Sequence, residues 1–190
     1  MLSTYIKTGV KILGLQELVG SAKPAFEGCY RIVNVGATTA IEFFDKAQRT
    51  DQSGMHSIGI LPYQTNKIAE MSLNHSEEVI SGEFTGCVMG LYKKGGVLTA
   101  GHVDTNKDTS KRGVYNNLKD TGAIKIVKEI DTTGMLQKPG TIAICIASKN
   151  SIESYIVSKE SHYSHQTKPL AGVPGQTIAG QTASPIYTVL

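Results

Sequence analysis

Apolar positions recur along most of the chain in short runs, many alternating with polar neighbours and closed off by Gly, Asn, Asp or Pro. That pattern has the period of a strand and the boundaries of a turn. It predicts strands over Cys29–Val35, Thr39–Asp45, His56–Leu61, Gly86–Lys93, Gly96–Val103, Ala123–Ile130, Thr141–Ser148, Ser154–Glu160 and Pro185–Leu190. "AIKIVKEI" alternates apolar and charged residues, as a half-solvated strand does, whereas "TIAICIAS" is apolar on both faces and reads as a central strand. Helical signals are fewer. "LSTYIKTGVKILGLQELV" predicts one early helix, weakened by Gly9 and Gly14, and "KRGVYNNLKD" predicts a second, capped by Thr109 or Ser110 and ended by Gly122. The Pro- and Gly-rich stretch "HQTKPLAGVPGQTIAGQTASP" reads as a long loop. Together these elements predict an α+β fold in one catalytic domain, residues 1–190, with a β-sandwich or curled mixed sheet core flanked by a few helices.

A chain of 190 residues is long enough to bury a full core without a metal or disulfide staple. The formal charge of +3 is scattered over short clusters, which argues against a nucleic-acid partner. No apolar run reaches membrane-spanning length, and lysines interrupt the N-terminal apolar residues, so neither a membrane anchor nor a cleavable signal peptide is expected. Three cysteines cannot all pair and show no C-x-x-C spacing, which reads as free thiols in a reducing compartment. Cys29 and Cys145 sit among larger apolar neighbours and read as core. No phosphate-binding loop is present, and no cofactor or metal is expected.

The candidate chemistry lies in "TGCVMGLYKKGGVLTAGHVDT", where Cys87 and His102 flank a glycine-bearing turn. A turn centred on Lys94–Gly95 sets the two residues directly opposite, and one centred on Gly95–Gly96 makes them diagonal neighbours on the same face. Either register brings an imidazole within reach of the thiol, and only an odd register would separate them. An imidazolium there would lower the thiol pKa, and the ring could later return a proton to a leaving group. Gly86 and Gly101 would let a substrate approach the backbone. Against this stands the ordinary fate of a strand cysteine, which is burial as a small core residue.

"FTGC", followed by a strand, a turn, a second strand and a histidine, resembles the glutamine deamidase toxins of the cytotoxic necrotizing factor and Burkholderia lethal factor group. Their signature is Leu-Ser-Gly-Cys, so Phe84 and Thr85 stand where that pattern has Leu and Ser. The stretch "TTAIEFFDKAQRTDQSGMHSIGILP" (Thr38–Pro62) also resembles the strand, loop and strand of that family's early sheet, and the likeness covers residues 38–105. The resemblance implies a β-sandwich carrying Cys87 as nucleophile and His102 as base and acid, with Thr85, Gly86 and Asp104 as possible orienting or oxyanion neighbours. It implies a monomer acting on a host protein substrate, such as a Rho-family GTPase or a translation-initiation helicase. It also implies a bacterial protein secreted or injected into host cytosol without a classical signal peptide.

Other readings compete. "GGVLTAGHV" is similar to the histidine strand of chymotrypsin-like proteases, but Ser184 in "AGQTAS" lacks the nucleophile loop such an enzyme needs. His162 and His165 in "SHYSH" have helical spacing, too few ligands for a zinc site. A β-sandwich binding or adaptor module is the non-enzymatic alternative, and it has no use for a Cys–His pair.

Overall fold

The computed structural model describes residues 1–20, 23–51, 53–74, 76–107, 110–136, 138–160 and 186–190. It contains β1 (Lys11–Leu13), α1 (Leu15–Val19), β2 (Phe26–Val35), β3 (Thr38–Asp45), β4 (His56–Ile60), β5 (Ile68–Ser72) and β6 (Glu78–Phe84). There follow β7 (Val88–Lys94), β8 (Val97–Val103), α2 (Arg112–Asp120), β9 (Ile124–Asp131), β10 (Thr141–Ser148), β11 (Ile152–Glu160) and β12 (Ile186–Val189). Strands make up 51% of the described residues and helices 13%, so the β-rich α+β character holds. The sandwich does not. Eight strands close into a barrel in the order β1-β12-β11-β10-β6-β4-β2-β3, and the other four form a separate sheet ordered β5-β8-β7-β9.

Barrel closure is why residues 2–19 do not form the single helix their pattern predicts. Gly9 and Gly14 adopt φ of +85° and +72°, conformations a continuous helix does not allow. Between them β1 pairs parallel with β3 and antiparallel with β12, which seals the cylinder. A Cβ on Gly14 would lie 2.5 Å from the Phe43 carbonyl oxygen, so only glycine lets the chain leave β1 against β3. Leu2, Ile6, Leu15 and Val19 then bury their side chains in the barrel core with Ile41, Ile58, Ile80, Ile144 and Tyr187.

β10 shows how the two sheets join. Ile144 and Ile146 face the barrel core, whereas Ala143, Cys145 and Ala147 face a second cluster shared with Met89, Leu91 and Ala100 of the smaller sheet. Small residues on that face let the smaller sheet pack closely on the barrel wall. Thr141–Ser148 is thus the central strand its two apolar faces predict, paired with β6 and β11.

The outer face of the smaller sheet packs under α2, where Val88, Tyr92, Val103, Tyr115 and Ile124 form a third cluster. Gly90 and Gly101, paired across β7 and β8, leave a bare patch there. Tyr115 lies over Gly90, and the Tyr92 hydroxyl lies 2.5 Å from where a Gly101 Cβ would stand. The missing side chain of Gly101 therefore accommodates a tyrosine, not an approaching substrate. α2 begins with the Ser110 hydroxyl accepting from the Arg112 N–H at 3.3 Å, and Gly122 ends it at φ +73°. Thr109 and the Pro/Gly-rich stretch 165–185 lie outside the described residues.

Candidate active site

The β7–β8 hairpin turns at Gly95–Gly96, because Lys94 pairs with Val97. This is the diagonal register. His102 stands opposite Met89, and Cys87 lies just before the start of β7, one pleat away on the barrel-facing side. Cys87 is 4% exposed and His102 is 1% exposed.

A bulge in β6 builds the floor beneath the histidine. Against β10, Ser81 pairs with Cys145 but Phe84 pairs with Ala143, so one extra residue enters at Gly82–Glu83. Val79 already faces the inter-sheet cluster and Ile80 the barrel core. Strict alternation would turn residue 84 towards the barrel; the extra residue swings Phe84 onto the inter-sheet face instead. Glu83 takes up the irregularity with φ of +59°, in the left-handed region that non-glycine residues seldom occupy.

Ser81 fixes the histidine tautomer. Its Oγ lies 2.6 Å from the Leu61 carbonyl oxygen and 2.8 Å from Nδ1 of His102. A serine hydroxyl has one proton, and the carbonyl can only accept, so Ser81 gives its proton to Leu61 and accepts one from Nδ1. The ring therefore carries its proton on Nδ1. Nε2 keeps its lone pair and has no partner among the described residues.

Two clefts meet at Cys87. The first, about 270 Å³, is walled by Tyr63, Ile142 and Tyr187, with Glu83, Lys159 and Asn106 supplying polar atoms. The second, about 460 Å³, is polar and includes Thr105, Lys107, Thr133 and the Arg112–Asp131 pair, whose Nη1–Oδ2 distance is 2.6 Å. The backbone around the sulfur is clamped by threonines. Gly86, at φ +138°, has its carbonyl held by the hydroxyls of Thr105 at 2.5 Å and Thr133 at 3.0 Å. The Cys87 carbonyl accepts from both the N–H and the hydroxyl of Thr132, at 3.0 and 2.8 Å.

The expected imidazolium–thiolate pair is not the resting state. Burial pushes the His102 pKa down to about 3, against a smaller opposing effect from Asp104. Burial also raises the Cys87 thiol pKa, partly offset by donors from Thr105 and the Thr85 N–H. Both groups rest neutral because the low-dielectric surroundings penalise either charge. His102 Nε2 and the Cys87 sulfur make no hydrogen bond to each other, so the two neutral groups can react together only if they close on one another as the sulfur attacks.

The neighbours take distinct positions. Thr85 is exposed and lines both clefts, while Gly86 lines the polar one. Asp104 is fully buried and its carboxylate accepts from the N–H groups of Asn66 at 2.6 Å and Asn106 at 2.9 Å, and from the Tyr63 hydroxyl at 3.1 Å. It ties the loop bearing Tyr63 to the end of β8, and Tyr63 in turn leans on the His102 ring at 5.2 Å between centroids. Ser81, Glu83, Tyr63 and Asn106 were not singled out in the sequence. The only signal was the break in alternation at "ISGEF", where Gly82 and Glu83 interrupt an apolar run.

Cys29 and Cys145 are buried and unbridged, as is Cys87. His162, His165 and Ser184 lie outside the described residues. Among the described residues, no group of three or more His, Cys, Asp or Glu is placed to hold a metal ion. No helix among them is long and apolar enough to cross a membrane. Neither a comparison with models of known protein families nor one with curated protein sequences finds a match.

Proposed function

We propose that this chain is a cysteine-dependent protein glutamine deamidase, with Cys87 as nucleophile and His102 as general base and acid. One observation carries the reading: a thiol stands where two clefts meet, one pleat from an imidazole whose tautomer leaves Nε2 able to take a proton. Resemblance to the necrotizing-factor type deamidases around "FTGC" adds the substrate class, a side-chain carboxamide on a host protein. A Rho-family GTPase or a translation-initiation helicase is the kind of target it suggests, reached after secretion or injection.

The chemistry follows from the neutral pair. The Cys87 sulfur attacks the carboxamide carbon as Nε2 removes the thiol proton. The carbon–nitrogen bond of the tetrahedral adduct then breaks while the imidazolium gives that proton to the departing ammonia. A thioester remains. Water attacks it with Nε2 taking a proton, the carbon–sulfur bond breaks, and the proton returns to sulfur. The sum is glutamine plus water to glutamate plus ammonia, with the protein regenerated. Ser81 keeps the ring oriented through both halves.

The test is mass spectrometry of a host-cell lysate incubated with the wild-type protein or with Cys87→Ser. A Gln-to-Glu mass gain at a defined site, seen only with the wild type, is expected. A gain that persists with the serine variant, or none with either, removes the proposal.

A further inference from the structure

The β6 bulge sets an acidic residue inside the thiol's cleft at a conformational cost. Glu83 holds a left-handed backbone although Gly82, which would adopt it freely, is the residue before it. Half-buried Glu83 is a lining residue of the same cleft of about 270 Å³ as Cys87 and Thr85. One carboxylate oxygen lies 3.5 Å from where a Gly20 Cβ would stand, so the bare backbone after α1 leaves it room. No hydrogen bond or ion pair satisfies that carboxylate among the described residues, whereas the acids Glu27, Glu42, Glu70, Glu129 and Asp131 each hold a basic partner.

We propose that Glu83 determines specificity at this site, its carboxylate accepting a hydrogen bond from the NH₂ of a bound carboxamide and repelling a carboxylate of the same shape. The inference rests on the deamidase reading and deepens it. A glutamine side chain offers the donor that Glu83 lacks among the described residues, and the glutamate product offers a second negative charge. The same residue would thus favour substrate entry and product release. Lys159 also lines the cleft but is exposed, so solvent screens its opposite influence more strongly than that of the half-buried carboxylate.

Two alkylating reagents of nearly equal size isolate this effect from any target protein. Iodoacetamide carries a carboxamide and iodoacetate a carboxylate, and each transfers its methylene to the thiol sulfur with loss of iodide and a proton. Rates at Cys87 are read by peptide mass spectrometry and expressed as the amide-to-acid ratio, relative to N-acetylcysteine under the same conditions. The wild-type ratio should exceed the reference by about tenfold or more, the size of one charge–charge contact in a partly screened site. Glu83→Gln should return it close to the reference. Glu83→Gly, which removes both the carboxylate and the backbone strain, should do the same while folding at least as stably. Lys159→Met should raise the ratio further.

A ratio equal in the wild type and both Glu83 variants overturns the proposal, as does a Cys87 that neither reagent reaches. The lysate experiment separates the two ideas. Cys87-dependent deamidation with an unchanged ratio refutes the role of Glu83 alone. A Glu83-dependent ratio without any deamidation refutes the enzyme reading and leaves a cleft selective for neutral ligands.

Discussion

Phe84 lies flat beneath His102, with ring centroids 3.9 Å apart and planes 11° from parallel. The contact exists because the bulge at Gly82–Glu83 turns Phe84 out of the barrel and under the hairpin. Tyr63 closes the ring from another side at 5.2 Å. An imidazole sealed between two aromatic rings, with its one protonated nitrogen spent on Ser81, has little to solvate a positive charge. The neutral ring is thus a product of the packing around it.

That neutrality makes stability depend on pH. The folded His102 pKa, about 3, lies below its ordinary value of 6.5. Between those values the unfolded chain binds a proton that the folded chain refuses. The stability held by the neutral ring is complete above pH 6.5 and is lost as pH falls towards 3, at up to about 1.4 kcal/mol per pH unit. His102→Phe removes the titration and keeps an aromatic ring over Phe84. Urea unfolding from pH 7 to pH 4 should show the wild type losing stability more steeply than this variant; parallel curves would contradict a buried neutral histidine.

Ser81→Ala tests the orientation of the same ring. The change leaves both the Leu61 carbonyl and His102 Nδ1 without their partner in a fully buried place. An unsatisfied buried polar group costs about 1–3 kcal/mol, so the variant should fold with reduced stability. The larger effect should fall on chemistry, because the ring can then place its proton on Nε2. The proposed deamidation should drop by about 100-fold or more, as when a triad loses the residue that sets its tautomer. Near-wild-type turnover in a folded Ser81→Ala protein would show that Ser81 is structural only.

How much of this was legible in the sequence varied with the range of the interactions responsible. The β7–β8 hairpin was readable because a two-glycine turn and flanking alternation are local, and they placed Cys87 and His102 on one face. β10 was readable because a strand buried on both sides is apolar throughout. β6 was missed, since its bulge breaks the period that reveals a strand, and Ser81 was missed with it. Barrel closure was hidden for another reason. It depends on residues as far apart as Lys11 and Thr188 pairing, and no local pattern marks three residues of β1 as a strand. The neutrality of the pair was equally hidden, because proximity of a thiol and an imidazole says nothing about how dry their surroundings are.

Gly101 supplies a test of the outer face of the hairpin. A Cβ at this position would meet the Tyr92 ring, with the hydroxyl 2.5 Å away, and that hydroxyl is anchored to Glu70 at 2.6 Å. Gly101→Ala should therefore force the ring aside and cost about 1–3 kcal/mol, the usual range for overpacking. Because Gly101 adjoins His102 but contacts neither cleft, the loss should appear in thermal unfolding before it appears in Cys87 alkylation. A neutral substitution would mean that Tyr92 does not occupy the space over the glycine.

Thiol reactivity discriminates most directly between the neutral pair and an ion pair. Cys87 borders two clefts, whereas Cys29 borders neither and Cys145 is fully buried with its pKa pushed up to about 12. Iodoacetamide should accordingly modify Cys87 ahead of the other two. Its rate should also climb as pH rises through and beyond the ordinary thiol value of 9.0, since burial raises the pKa and only the thiolate attacks this reagent. An imidazolium-paired thiolate would behave differently, holding a flat, fast rate down to weakly acidic pH. If Cys87 reacts in that flat manner, the ring is charged at rest and the dry packing by Phe84 and Tyr63 does not govern it. If the rate instead rises with pH, His102→Phe should leave that profile largely unchanged while abolishing the proposed deamidation, because the ring would then act only when a carboxamide is being attacked.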